Sequence, residues 1–163
     1  MPNRLKTLAY TGLSLALIMA LQIVGLPNLL TGIAVNAVFI FTICFLGLRP
    51  ALFLGFLSPV GGLFSGHLPA VMYPVLPVIM VGNLGFIFVY SHLKQSGRLL
   101  RYLIPSAVKA VWIFAVGMLV IQFMELSGNV KWLIVPVLGI QFLTAFAGTL
   151  VGEKLGTQLP SEL

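Results

Sequence analysis

Lys109, in the run SAVKAVW, is the only cation well inside an apolar stretch of the chain. An amine among hydrocarbon either reaches back to water along its own stem or faces a cavity or a partner. The apolar run begins near Tyr102, which puts Lys109 about two helical turns in, roughly 10 Å at 1.5 Å per residue. Both readings stand. The groups that could share a cavity with it are uncharged: Asn36, Tyr73, Asn83 and Gln141, in the second, fourth and sixth apolar runs. A polar group in lipid is costly unless hydrogen-bonded, so these side chains are expected to face inward. Any one of them is accounted for by bonding between helices, whereas the four together could line a site for a small molecule. The candidate partners of Lys109 are Asn83, Gln141 and backbone carbonyls freed near Pro74 and Pro77. Gln122, a further candidate contact, shares a face with Glu125. On a regular helix that face lies roughly 140–160° from Lys109, so the two sets line one cavity only if the helix is distorted. Glu125 also reads as a solvated end residue near Lys131.

Other chemistry is sparse. His67, His92 and Cys44 supply no metal-ligand cluster and no intramolecular disulfide. Ser65-Gly66-His67 brings a hydroxyl near an imidazole, but without a second base or a G-x-S-x-G elbow it makes no hydrolase. There is no G-x-x-x-x-G-K-[ST] loop for ATP. With no aspartate and three glutamates, a proton relay of carboxylates is poorly supported. No catalytic constellation converges and no cofactor is called for, so an enzyme is the least favoured class.

The elements that must position these residues are set by hydropathy. The chain is 60% hydrophobic and 7% charged, with a mean hydropathy of +1.12. Soluble domains carry about 25% charged residues, so this one is expected to lie in the lipid bilayer. Its 163 residues leave room for about six crossings and no soluble domain. The fold class is therefore an all-α membrane protein, six transmembrane helices in one bundle. The spans run about 7–26, 30–48, 50–65, 68–93, 102–126 and 132–152. The first is too long for a signal-peptide core, lacks an A-x-A site and is followed by further spans. Arg49-Pro50 reads as a tight turn, and Ser127-Gly128-Asn129 as another. The stretch from His67 to Tyr90 is uncharged, carries Pro69, Pro74, Pro77 and Asn83, and reads as an irregular span lining a cavity.

The net charge of +6 is a topology signal rather than a nucleic-acid patch. Arg4, Lys6, Arg49, Lys94, Arg98, Arg101 and Lys154 fall on one side of six crossings, and Lys131 on the other. Both termini are therefore expected in the cytoplasm. Trp132 and Tyr102 suit interfacial belts. Gly12, Ala16 and Ala20 recur every fourth residue and form a flat strip on the first span. From spacing alone, packing inside the bundle is the better reading of that strip.

These features resemble the substrate-binding (S) component of an energy-coupling factor transporter, the vitamin-uptake class of ABC importers. The resemblance covers essentially the whole chain. It rests on the size, the six spans and the basic first turn. More specific are the Ala16-Leu-Ile-Met-Ala20 strip, the LPAVMYPVLPVIMVGN stretch, the lysine of SAVKAVW and the Gln-Phe of GIQFLTA. It implies high-affinity binding of a vitamin or related heterocyclic micronutrient from the outer side of a prokaryotic cytoplasmic membrane. The connection at Pro27 and Asn28 would act as a lid, and spans four to six would supply most ligand contacts. Ala16 and Ala20, extended by Gly12, would dock on a transmembrane coupling subunit driven by two cytoplasmic ATPases. Lys109 would hold the base of the pocket with Asn83 and Gln141, or lock the cytoplasmic side. Two alternatives are a membrane scaffold or assembly protein and an independent facilitator for a small solute.

Overall fold

The computed structural model describes residues 4–64, 70–124 and 128–158, with side-chain burial for these except 70–72 and 128–137. Six α-helices follow in chain order: α1 (Arg4–Ile23), α2 (Asn28–Phe45), α3 (Leu48–Phe64), α4 (Leu76–His92), α5 (Arg98–Phe123) and α6 (Gly128–Gln158). A 3-10 turn, Ala70–Val75, leads into α4. Among the described residues there is no strand. Four segments are long and apolar enough to cross a membrane: Arg4–Ile23, Asn28–Phe45, Tyr73–His92 and Arg98–Phe123, with Leu48–Phe64 a shorter apolar helix. Backbone groups in lipid have no water to bond to, and a helix satisfies them internally.

Turn chemistry sets the ends of several helices. Pro27 caps α2 in an extended conformation, and Gly25 before it takes the left-handed φ of +79°. Only Leu46 and Gly47 separate α2 from α3. Gly47 adopts φ +96°, and both amides return to the Thr42 carbonyl, closing the helix end. The tight turn is thus at 46–47. Arg49 and Pro50 lie in the first turn of α3, where a missing N–H costs nothing. Similarly, Pro77 sits at the start of α4, so it frees no interior carbonyl. The span expected over 68–93 is a 3-10 turn followed by a 17-residue helix.

Helices α2, α6, α5, α4 and α3 pack in that order around a ring that α3 closes on α2, while α1 lies outside against α3 and α2. The centre is filled by Phe39, Ile40 and Ile43 of α2, Leu54 of α3, and Phe86, Ile87 and Tyr90 of α4. A smaller cluster of Val75, Val78 and Ile121 packs farther along α4 and α5. Helices α2 and α6 pack closely along their length, where glycines remove the side chains that would hold them apart. A β-carbon added at Gly148 would lie 2.5 Å from Asn36 Cβ and 2.8 Å from the Ile33 carbonyl oxygen. One at Gly152 would meet the Ala37 carbonyl, and one at Gly156 would lie 2.7 Å from Cys44 Cβ. These three glycines, four apart, share one face of α6.

Candidate functional site

Lys109 lies about 16 Å along α5 from Arg98, near the middle of a helix that begins about one turn before Tyr102, where the apolar run starts. Its side chain is 4% exposed. The amine does not run back to a helix end: Nζ donates to Asn36 Oδ1 at 2.7 Å. Asn36 is itself near the middle of α2 and 2% exposed. Its amide nitrogen is held one turn back by the Gly32 carbonyl at 2.8 Å and reaches the Thr144 hydroxyl at 3.4 Å. That leaves the amide oxygen to face Lys109. Thr144 in turn donates to the Gln141 carbonyl at 3.2 Å. The amine also lies 5.4 Å from the Phe86 ring centroid and 6.0 Å from that of Phe39, within range of cation–π attraction. Helices α2, α4, α5 and α6 therefore meet at one buried cation. The glycines matter here too. Gly32 and Gly148 let α6 come close enough for Thr144 to reach Asn36.

Asn83 belongs to a different cluster. Pro59, inside α3, has no N–H to give to the carbonyl four residues back, Gly55. The Asn83 amide supplies the missing donor across the helix pair, 3.2 Å from the Gly55 oxygen and 3.2 Å from Ser58 Oγ. Gln22 of α1 reaches the same turn, donating to the Ser58 carbonyl at 3.1 Å. Asn83 is thus bonded to α3, and the partner of Lys109 is Asn36 in place of the expected Asn83, Gln141 or proline-freed carbonyls. The proline whose freed carbonyl is filled from a neighbouring helix is Pro59, on the third span rather than the fourth.

A third cluster closes the end that carries the basic turns. Arg101 Nη2 meets Glu153 Oε1 at 2.6 Å, and Nη1 donates to the Lys94 carbonyl at 2.7 Å. Tyr90 donates to Glu153 Oε2 at 3.0 Å and lies 4.0 Å from Cys44 Sγ. The ends of α2, α4 and α6 and the start of α5 are joined through these groups. The sequence reading overlooked Glu153 because it ended the last span at Gly152, whereas α6 runs on to Gln158. The available signal was the spacing: Glu153 continues the apolar run with no helix breaker between, at the level of the Lys94–Arg101 turn.

The remaining candidates do not converge on Lys109. Tyr73 is 44% exposed in the 3-10 turn. Gln122 is exposed, and Gln141 is half-buried one turn before Thr144. Pro27 and Asn28 are exposed at the short connection between α1 and α2, and Gly12, Ala16 and Ala20 are exposed along α1. A β-carbon at Gly12 would meet nothing within 4 Å. His67, Glu125 and the side chains of Lys131 and Trp132 lie outside the described residues. An open groove of about 390 Å³ between α1 and α3, lined by Arg4, Thr7, Leu8, Thr11, Pro50 and Phe53, lies at the basic end. Its Thr11 hydroxyl is used internally by the Thr7 carbonyl. Among the described residues no cluster could hold a metal ion.

No protein-family model, curated protein or solved structure matches this chain.

Proposed function

We propose that the chain is the ligand-binding subunit of a membrane uptake system, of the substrate-binding kind found in energy-coupling factor transporters, acting on a small vitamin-like molecule. The observation that carries this reading is the Lys109–Asn36 pair. A cation at the middle of an apolar bundle is costly, and such groups mark ligand or ion pathways. A well-packed apolar pair would serve stability as well or better. Helix-to-helix bonding alone is already supplied by Asn83 on Ser58 and by Asn36 on Thr144, neither of which needs a charge.

In this reading α1 is the docking helix. It lies outside the ring, and Gly12, Ala16 and Ala20 present a bare strip on which a coupling subunit's helix can approach closely. Energy comes from two ATPases outside this chain, which is not itself an enzyme. The basic end, with Arg49, Lys94, Arg98 and Arg101, faces the cytoplasm of a prokaryotic cell together with both termini. Pro27 and Asn28 cover the opposite, outer side. The test is native mass spectrometry of the detergent-purified protein. A discrete small-molecule mass is expected, retained in Asn83→Leu and lost in Asn36→Leu. Retention of nothing, with α1 still binding a protein partner, supports instead a membrane scaffold, which the exposed strip would serve equally.

A further inference from the structure

The chemistry of the ligand follows from a charge imbalance at the Lys109 site, taking the ligand-binding reading as its basis. Glu153 is the one acid among the described residues, and both its oxygens are engaged, one by Arg101 and one by Tyr90. Lys109 therefore has no carboxylate partner within the described bundle. A lysine ammonium carries three donors. Among the described residues this one makes a single hydrogen bond, to the neutral Asn36 oxygen. The faces of Phe86 and Phe39 offset part of the charge but accept no proton. In its protonated form Lys109 leaves two donors and one positive charge unmatched in an apolar setting, with Ala110 and Ile113 buried on the same helix.

We infer that Lys109 binds the anionic end of a small monocarboxylate whose remaining body is apolar or aromatic, with Asn36 holding the ammonium in place. One unmatched cation balances one negative charge, and a second carboxylate would enter hydrocarbon without a partner. A phosphate dianion is disfavoured because its oxygens need several donors or a guanidinium fork. The Asn36 nitrogen is already committed to Gly32 and Thr144. A carboxylate takes the two remaining ammonium donors in charge-assisted bonds while Asn36 Oδ1 keeps the third. Phe86 and Phe39 are fully buried beside the amine, so an apolar body reaches Lys109 only as these rings move aside.

The experiment measures thermal stabilisation of the purified full chain by matched acid and amide pairs: benzoate and benzamide, nicotinate and nicotinamide, indole-3-acetate and indole-3-acetamide. The acids are expected to act at concentrations about tenfold or more below those of their amides. Lys109→Met should erase the preference and Lys109→Arg keep part of it. Asn36→Asp guards against a Lys109 variant that fails to fold. It supplies an internal carboxylate, so it should raise stability and abolish the response to acids. Equal action of acids and amides, or an acid preference that survives in folded Lys109→Met or Asn36→Asp, overturns the inference. A neutral molecule that co-purifies with the protein also overturns it, while leaving the binding role intact. No retained molecule and no response to any acid or amide overturns both.

Discussion

The first and last helices each carry a strip of small residues at every fourth position, and the two strips meet opposite fates. On α6, Gly148, Gly152 and Gly156 are pressed against α2 so closely that an added β-carbon at the first two would strike backbone atoms. On α1, Gly12, Ala16 and Ala20 are exposed, and a β-carbon at Gly12 would touch nothing. The same spacing thus builds an internal seam in one helix and leaves an open face in the other. A small-residue face permits close approach without specifying the partner. The partner of the α6 strip is α2, joined to it by the Asn36–Thr144 bond, while the Glu153–Arg101 pair ties the same helix to α5. The α1 strip has no such polar bond along it, and its one inward amide, Gln22, lies at the far end on α3.

Substitutions separate the two strips. The largest effect is expected from Gly152→Val, which forces bulk into the Ala37 and Ile40 backbone and side chain. The destabilisation should be at least about 3 kcal/mol, the upper range for overpacking, read as loss of the monodisperse peak on gel filtration and a large fall in Tm. Wild-type stability in Gly152→Val would mean that α6 does not sit on α2 as described. Next is Glu153→Gln, which removes the charge that binds Arg101 and tests how much of α6 docking the glycine seam supplies by itself. Each side chain of that pair is about 15% exposed. The loss should therefore fall near 1–3 kcal/mol, below that of a fully buried pair, in a thermal or denaturant melt.

Asn83→Leu should cost about 1–3 kcal/mol by leaving the buried Gly55 carbonyl with only the long Ser58 hydroxyl contact at 3.4 Å, and Pro59→Ala in the same chain should recover part of it by restoring the backbone donor. Recovery absent from the double variant would separate Asn83 from the proline. The smallest effect on stability belongs to the open strip. Ala16→Trp or Ala20→Trp should shift unfolding by no more than about 0.5 kcal/mol, as exposed positions do; under the proposed uptake role either also abolishes transport in cells and spares ligand retention. Loss of fold in either variant would show that the α1 face is occupied within the bundle.

Much of the helical plan was legible. The apolar runs, the breaks near Pro27 and after His92, and the gathering of basic residues at one end follow from hydropathy and spacing, because lipid admits few other solutions. The polar contacts were less legible. Asn36 and Asn83 are both expected to face inward, and both are buried, but the amide that meets Lys109 is Asn36 rather than the expected Asn83. Pairing depends on which helices are neighbours: α2 and α5 meet across the ring centre, whereas α4 faces α3 at the turn opened by Pro59. Likewise Glu153 looked like part of a polar tail until the extension of α6 carried it beside Arg101.

By itself the sequence determined that the chain folds as apolar helices, where most of them start and stop, and that any polar side chain within them must find a bond. Those outcomes depend on solvation and on local backbone chemistry, which act residue by residue. Only the tertiary structure decided which of two equally spaced small-residue strips is sealed. It also decided which amide steadies Lys109, and that among the described residues no carboxylate lies beside it. A helix repeats its face every few residues but carries no record of its neighbours. The choice among those neighbours is made by the packing of all six helices together.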